Sequence, residues 1–206
     1  MADYFKIHTD NPQGRLIAKA VAILRNGGVV AYPTDSGYAL GCHLEDKAAH
    51  DRLCDIRRVD ADHNFTLLCR DLSEVSSYAV FDTPVYRLLK AHTPGPYTFI
   101  LQATRDVPRR CVHPRRKTIG LRVPDHRIAQ ALLGELGEPL LSTTLILPPD
   151  THPLANPPEI RKRLDRQVDL VIDGGWCGAT PTTVVSMIEF PYAVLRRGKG
   201  DATAFE

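Results

Sequence analysis

Leu16, Ile17, Ala20, Val21 and Leu24 recur at the spacing of one helix face, behind an Asn11-Pro12 start and ahead of a Gly27-Gly28 stop. Ile128, Ala129, Leu132, Leu133 and Leu136 form a second such face, with Asp125 as the expected cap and Gly137 as the stop. Residues 45–57 and 82–92 read as two further helices, the latter capped by Asp82 with Pro84 in its first turn, and 158–165 as a shorter one. Between them lie apolar runs of strand length at 29–32, 38–42, 65–69, 97–103, 118–123, 139–147, 168–172, 183–188 and 192–196. Helical crossovers mixed with consecutive strands predict an α/β (α+β) architecture, a mixed β-sheet with helices on its faces. No internal repeat or composition break divides residues 1–206, so one domain is expected. Residues 148–158 hold five prolines and form a loop, either a plain surface connection or a lid.

Composition narrows the class. Hydrophobic residues make up 43% and charged residues 24%, the balance of a soluble globule. No apolar run approaches the roughly 20 residues that span a bilayer, so no membrane partner is expected. Asp3, Lys6 and His8 interrupt what would be the apolar stretch of a signal peptide, which points to the cytoplasm. Five cysteines with no close pair read as reduced, mostly buried thiols rather than as a zinc array or a disulfide framework. Net charge is only +2, yet cations cluster at 105–117, 161–166 and 196–199, each a solvated face or a nucleic-acid contact.

No phosphate-binding Gly-Lys-Ser loop, His-Glu-x-x-His pair or nucleophile elbow is present, so covalent catalysis is not indicated. The chain offers instead polar turns at strand ends, where an α/β sheet usually holds its ligand. Pro33-Thr34-Asp35-Ser36-Gly37 is one of them.

The stretch from Gly27 to Gly41, GGVVAYPTDSGYALG, resembles the opening motif of YrdC-like proteins, and five more segments follow in family order. They are Pro94-Gly95-Pro96-Tyr97-Thr98, Thr118 to Pro124 (TIGLRVP), Leu141-Ser142-Thr143-Thr144, Pro181 to Val185 (PTTVV) and Val194 to Gly198 (VLRRG). The resemblance covers about nine tenths of the chain.

It implies a twisted mixed sheet of the YrdC/RibB type with a concave, positively charged surface. It also implies synthesis of L-threonylcarbamoyladenylate from L-threonine, bicarbonate and ATP, the first step toward the threonylcarbamoyl adenosine of tRNA. On that resemblance Thr34, Arg122, Thr143 and Thr182 would hold the threonine, and Arg57, Arg58, Thr118, Thr144 and Arg196 the nucleotide. Arg57 and Arg122 would be the catalytic cations. A carbamate attacking the α-phosphate needs cations aimed at growing charge more than it needs a nucleophile, and arginine forks and hydroxyls supply them. Mg2+ would arrive with ATP, with no dedicated protein site. Without the resemblance, Thr34 and Asp35 stabilise a turn, Arg122 pairs with a carboxylate across the sheet, and Thr182-Thr183 are strand residues.

The chain departs from the synthase pattern at three points. Asp55-Ile56-Arg57 stands where the synthases carry Lys-x-Arg, Thr144-Leu145-Ile146 where they carry Ser-x-Asn, and Cys69 where they carry histidine. The segment Asp62 to Arg70 is similar to that of the YciO branch. Three functions therefore stay open: a synthase-like enzyme with weak or altered activity, a non-catalytic module holding nucleotide, tRNA or double-stranded RNA, and a scaffold with a vestigial pocket.

Overall fold

The computed structural model describes residues 1–59, 63 and 65–206. In chain order the elements are β1 (Asp3–Lys6), α1 (Gly14–Arg25), β2 (Val30–Thr34), β3 (Gly37–His43), α2 (Lys47–Arg57), β4 (Thr66–Leu68), α3 (Leu72–Tyr78), β5 (Ala79–Val80), α4 (Thr83–His92), β6 (Tyr97–Ala103), β7 (Thr118–Arg122), α5 (Arg127–Leu136), β8 (Leu140–Thr144), α6 (Pro157–Leu164), β9 (Leu170–Asp173), β10 (Thr183–Ser186) and β11 (Ala193–Arg196).

All the strands join one sheet in the order β1-β9-β2-β3-β8-β4-β7-β6-β10-β11, with β5 paired to β6. The sheet combines parallel pairs such as β2 with β9 and β4 with β7 and antiparallel ones such as β3 with β8 and β6 with β7, the expected mixed sheet. Pro33 fits inside β2 because β9 pairs only with Val30 and Ala31, so no ladder bond is asked of the missing N–H.

One face of the sheet carries Val30, Tyr32, Leu170 and Ile172, and α1 and α5 cover it with Ile17, Ala20, Val21, Leu24, Ile128, Ala129, Leu132 and Leu133. Each such leucine, fully removed from water, contributes about 2 kcal/mol. The opposite face packs Ala31, Leu40, Leu67, Phe99, Leu121 and Leu141 against residues of α2, α4 and α6, among them Leu53, Leu89, Ile160 and Leu164. Among the described residues no helix is long and apolar enough to cross a membrane.

Several expectations move. The first helix starts after Gln13 rather than at Pro12, and Gln13 Oε1 accepts the His8 amide. The second starts after Asp46, whose carboxylate accepts the Ala49 amide. Asp125 is not a cap, because α5 begins one residue later than a cap there would set, with His126 in that place. Residues 72–78, for which the sequence pattern predicts no element, form α3, and 157 already belongs to α6. The five cysteines are free, with Cys42, Cys69 and Cys111 buried and Cys54 and Cys177 partly so. Of the segment Asp62 to Arg70, Asp62 and Asn64 lie outside the described residues.

Candidate functional site

The face covered by α1 and α5 continues uncovered over β8, β4, β7, β6 and β10, and there the strand positions change character. Gly41, Ser142, Thr66, Gly120 and Ile100 are successive partners across the ladder, and Ala39 with Thr144 and Leu68 with Arg122 flank that row. Strand alternation thus aims small and hydroxyl-bearing side chains at one hollow, while their neighbours Leu67, Leu121 and Leu141 face the core. Gly120 keeps the floor low: a Cβ there would lie 3.0 Å from Thr66 Oγ1 and 3.3 Å from the Thr98 methyl.

The hollow is a cavity of about 290 Å3. Thr34 and Ser36 reach it from the turn after β2, Arg57 from the end of α2, Arg122 from the end of β7, Thr143 and Thr144 from β8, and Thr182 and Arg196 from the β10–β11 hairpin. His63, Thr66, Thr98, Ser142 and Ile146 also line it, beside apolar positions such as Leu68, Ile100 and Leu195.

The cations are held at fixed points. Arg196 donates Nε to the Thr182 carbonyl and Nη2 to its hydroxyl, each at 3.0 Å, and the Thr98 and Thr182 hydroxyls share a bond of 2.9 Å. Arg57 Nε reaches Thr143 Oγ1 at 3.4 Å, where His63 Nε2 also lies at 3.3 Å. Arg122 donates to Thr34 Oγ1 at 3.3 Å and to the Asp35 carboxylate. The carboxylate partner envisaged for Arg122 is therefore Asp35, in the turn itself.

That turn is self-supporting. Thr34 Oγ1 donates to the Gly37 carbonyl at 2.6 Å and accepts the Ser36 amide at 3.2 Å. Gly37 has φ of +135°, and a Cβ there would fall 2.9 Å from the Gly178 carbonyl, so only glycine lets the 174–182 loop lie this close. Burial pushes the Arg57 and Arg196 guanidinium pKa values down, and Arg122 adds to the effect on Arg196. Both stay cationic, since arginine starts above about 12. Burial likewise lowers His126, behind Arg122, against the pull of Asp35.

The chemistry available is that of an anion cradle. Three guanidinium groups and a ring of hydroxyls can bind carboxylate and phosphate oxygens together. The described residues include no group of three or more His, Cys, Asp or Glu side chains placed to hold a metal ion.

A family model for Sua5, YciO and YrdC proteins, described as "Telomere recombination", matches residues 22–198. The chain belongs to the Sua5/YciO/YrdC family. YciO of Escherichia coli (strain K12) is 56% identical over 205 residues, covering 100% of both chains, and the crystal structure of E. coli YciO superposes with a TM-score of 0.98. The threonylcarbamoyl-AMP synthase of Vibrio vulnificus (strain YJ016) is 30% identical over 161 residues, 77% of this chain and 86% of that one. P. abyssi Sua5, crystallised with L-threonine, shares the fold at a TM-score of 0.87 and 24% identity over 95% of this chain and 57% of that one.

Within this family fold, Thr34, Arg57, Arg122, Thr143, Thr144, Thr182 and Arg196 come together. Arg58 and Thr118 do not line the cavity. Arg58 is exposed and takes a left-handed φ of 50° as it ends α2. Thr118 is buried at the other end of β7 from Arg122, about 13 Å along the strand. Asp55, which stands where the synthases carry lysine, is exposed on α2 and outside the cavity wall, whereas Ile146 is part of it. Cys69 is buried, its thiol 3.8 Å from the Leu67 carbonyl. Ser36, His63, Thr66, Thr98 and Ser142 were not foreseen. A hydroxyl breaking an otherwise apolar strand, as in Phe65-Thr66-Leu67 or Tyr97-Thr98-Phe99, was the available signal.

Proposed function

We propose that the cavity binds ATP and L-threonine and joins them, with bicarbonate, into L-threonylcarbamoyladenylate. The observation that carries the reading is the convergence of Arg57, Arg122 and Arg196 with six threonine hydroxyls in one hollow. In this reading the threonine amine takes up bicarbonate as a carbamate, with loss of water. A carbamate oxygen then attacks the α-phosphorus, and the bond to pyrophosphate breaks as the new P–O bond forms. Thr34, Arg122, Thr143 and Thr182 hold the amino acid end, while Arg57, Thr144 and Arg196 meet the charge that grows on the phosphate. Mg2+ brought with the nucleotide would supply charge neutralisation at its phosphates, beside what Arg57 and Arg196 contribute.

The family membership and the 30% identity to a named threonylcarbamoyl-AMP synthase support this reading. A second reading, a cavity that holds nucleotide without adenylating anything, is favoured by Ile146, which puts an apolar wall where the synthase pattern has an amide donor. Pyrophosphate release from Mg-ATP, bicarbonate and L-threonine separates them. Release that requires threonine and drops in Arg122→Ala and Arg196→Ala is expected. Release no greater than in those variants, with both folded, would leave only the second reading.

A further inference from the structure

A second hollow lies away from the cavity described above. Its volume is about 480 Å3, and its wall includes Arg105, Arg109, Lys117, Thr104, Val107 and Val112. β6 runs from Thr98 in the first cavity to Ala103 beside the second, about 17 Å along the strand. The two sites sit at opposite ends of the same strand.

The segment 105–117 carries Arg105, Arg109, Arg110, Arg115, Arg116 and Lys117 against one acid, Asp106. Its net charge of +5 exceeds the +2 of the whole chain, so the remaining residues together stand at −3. Arg110 turns inward and donates to the Leu44 carbonyl at 2.5 Å, but the other five cations are exposed. Among the described residues none of those five forms an ion pair, although every one could reach solvent-borne anions.

The segment is also built to hold this arrangement. Val107 and Cys111 are buried anchors at 3% and 4% exposure. His113 donates its amide to the Thr118 carbonyl and accepts the Lys117 amide, both at 2.9 Å, while its Nδ1 accepts the amides of Arg115 and Arg116 at 3.3 and 3.2 Å. Lys117 takes a left-handed φ of 58°, an uncommon conformation for a residue with a side chain, and its ammonium caps the Pro114 carbonyl at 2.6 Å. Like charges held on one short segment with a single acid among them repel one another, and an anion that neutralises them relieves that repulsion.

We propose that this hollow is a second anion site, which binds the phosphate groups of a nucleotide ligand independently of the first cavity. Thr104 and the three lining cations face the phosphates, and Val107, Val112 and Pro114 offer an apolar wall to base or sugar. Free nucleotide and an RNA strand present the same phosphate chemistry. Arg115 and Arg116, exposed beside the lining residues Pro114 and Lys117, extend the cationic surface beyond the hollow.

The test uses the full chain, the variant Arg105→Ala/Arg109→Ala/Lys117→Ala and the cavity variant Arg57→Ala/Arg196→Ala. The three loop side chains are exposed, so unchanged thermal unfolding checks the loop variant's fold. In one arm, a fluorescent RNA hairpin is titrated by anisotropy between about 50 and about 200 mM salt. Use of the site by RNA predicts a log–log salt slope shallower by about 2 to 3 in the loop variant, one counterion release per lost cation, and no such change in the cavity variant. In the other arm, equilibrium dialysis with ADP counts sites, and use by free nucleotide predicts one site fewer in the loop variant. Either result supports the proposal and names the source. Loop variant and parent alike in both arms would overturn it. Threonine-dependent pyrophosphate release should be unchanged in the loop variant, so this inference and the synthase reading fail separately.

Discussion

Arg122 and Asp35 form an ion pair with side chains only 8% and 10% exposed, and it ties the end of β7 to the turn that follows β2. Each partner keeps one buried polar atom, Arg122 Nε and Asp35 Oδ2, with no hydrogen-bond partner among the described residues. The pair is thus both a strut and an unfinished site, able to accept further polar groups without being rebuilt.

Breaking such a pair from one side leaves a buried charge uncompensated. Asp35→Leu should destabilise the protein by about 3 to 5 kcal/mol, and the double variant Asp35→Leu/Arg122→Met should recover most of that loss. Denaturant unfolding of the three proteins checks it; additive losses in the double variant would show that the two side chains do not act as a pair.

Arg196 is oriented by Thr182 through two hydrogen bonds. Thr182→Val removes the hydroxyl contact and keeps the carbonyl one. If Arg196 works on nucleotide phosphate, ATP affinity should fall by about 1.5 to 3 kcal/mol in Arg196→Ala, and by less in Thr182→Val. Calorimetric titration with ATP reads both values.

The departures from the synthase pattern carry unequal weight once placed in space. Ile146 is in the cavity wall and Asp55 is exposed outside it. Ile146→Asn should raise threonine-dependent pyrophosphate release by about tenfold, the order of one donor to a charged group. Asp55→Lys should change it little. The opposite ranking would mean that α2 turns toward the nucleotide when it binds.

Burial lowers the pKa of His126 and of His50 below the usual imidazole value. A histidine whose folded pKa is depressed takes up its proton more readily in the unfolded chain. The stability it permits is therefore complete above about pH 6.5 and declines as pH falls below that toward the folded value. Unfolding free energy should drop between about pH 7.5 and about pH 5.5, and His126→Asn should flatten that drop. A parent profile that is flat across this window would contradict the burial of both rings.

The helices that pack hardest were plain in the sequence, because α1 and α5 each bury one continuous apolar stripe. α3 escaped notice because Ser73, Ser76 and Ser77 blur its stripe, although Asp71 with Glu74 three residues on is a start signal, and Asp71 does cap the Glu74 amide at 2.9 Å. β1 is a short edge strand that makes sense only beside β9, more than 160 residues away. The cavity was legible at its corners, where strand ends meet polar turns, and not on its floor, where Thr66, Gly120 and Ser142 become neighbours only through sheet register. Thr118 shows the converse: a residue of the right type within the right motif, carried out of reach by four positions of extended chain.

A crystal structure of the protein with L-threonine and a non-hydrolysable ATP analogue tests whether Arg57, Arg122 and Arg196 meet one ligand. The expected density has the threonine carboxylate within hydrogen-bond reach of Arg122 and the phosphates beside Arg57 and Arg196. Ligands bound elsewhere, with those three arginines making only the contacts described above, would contradict it.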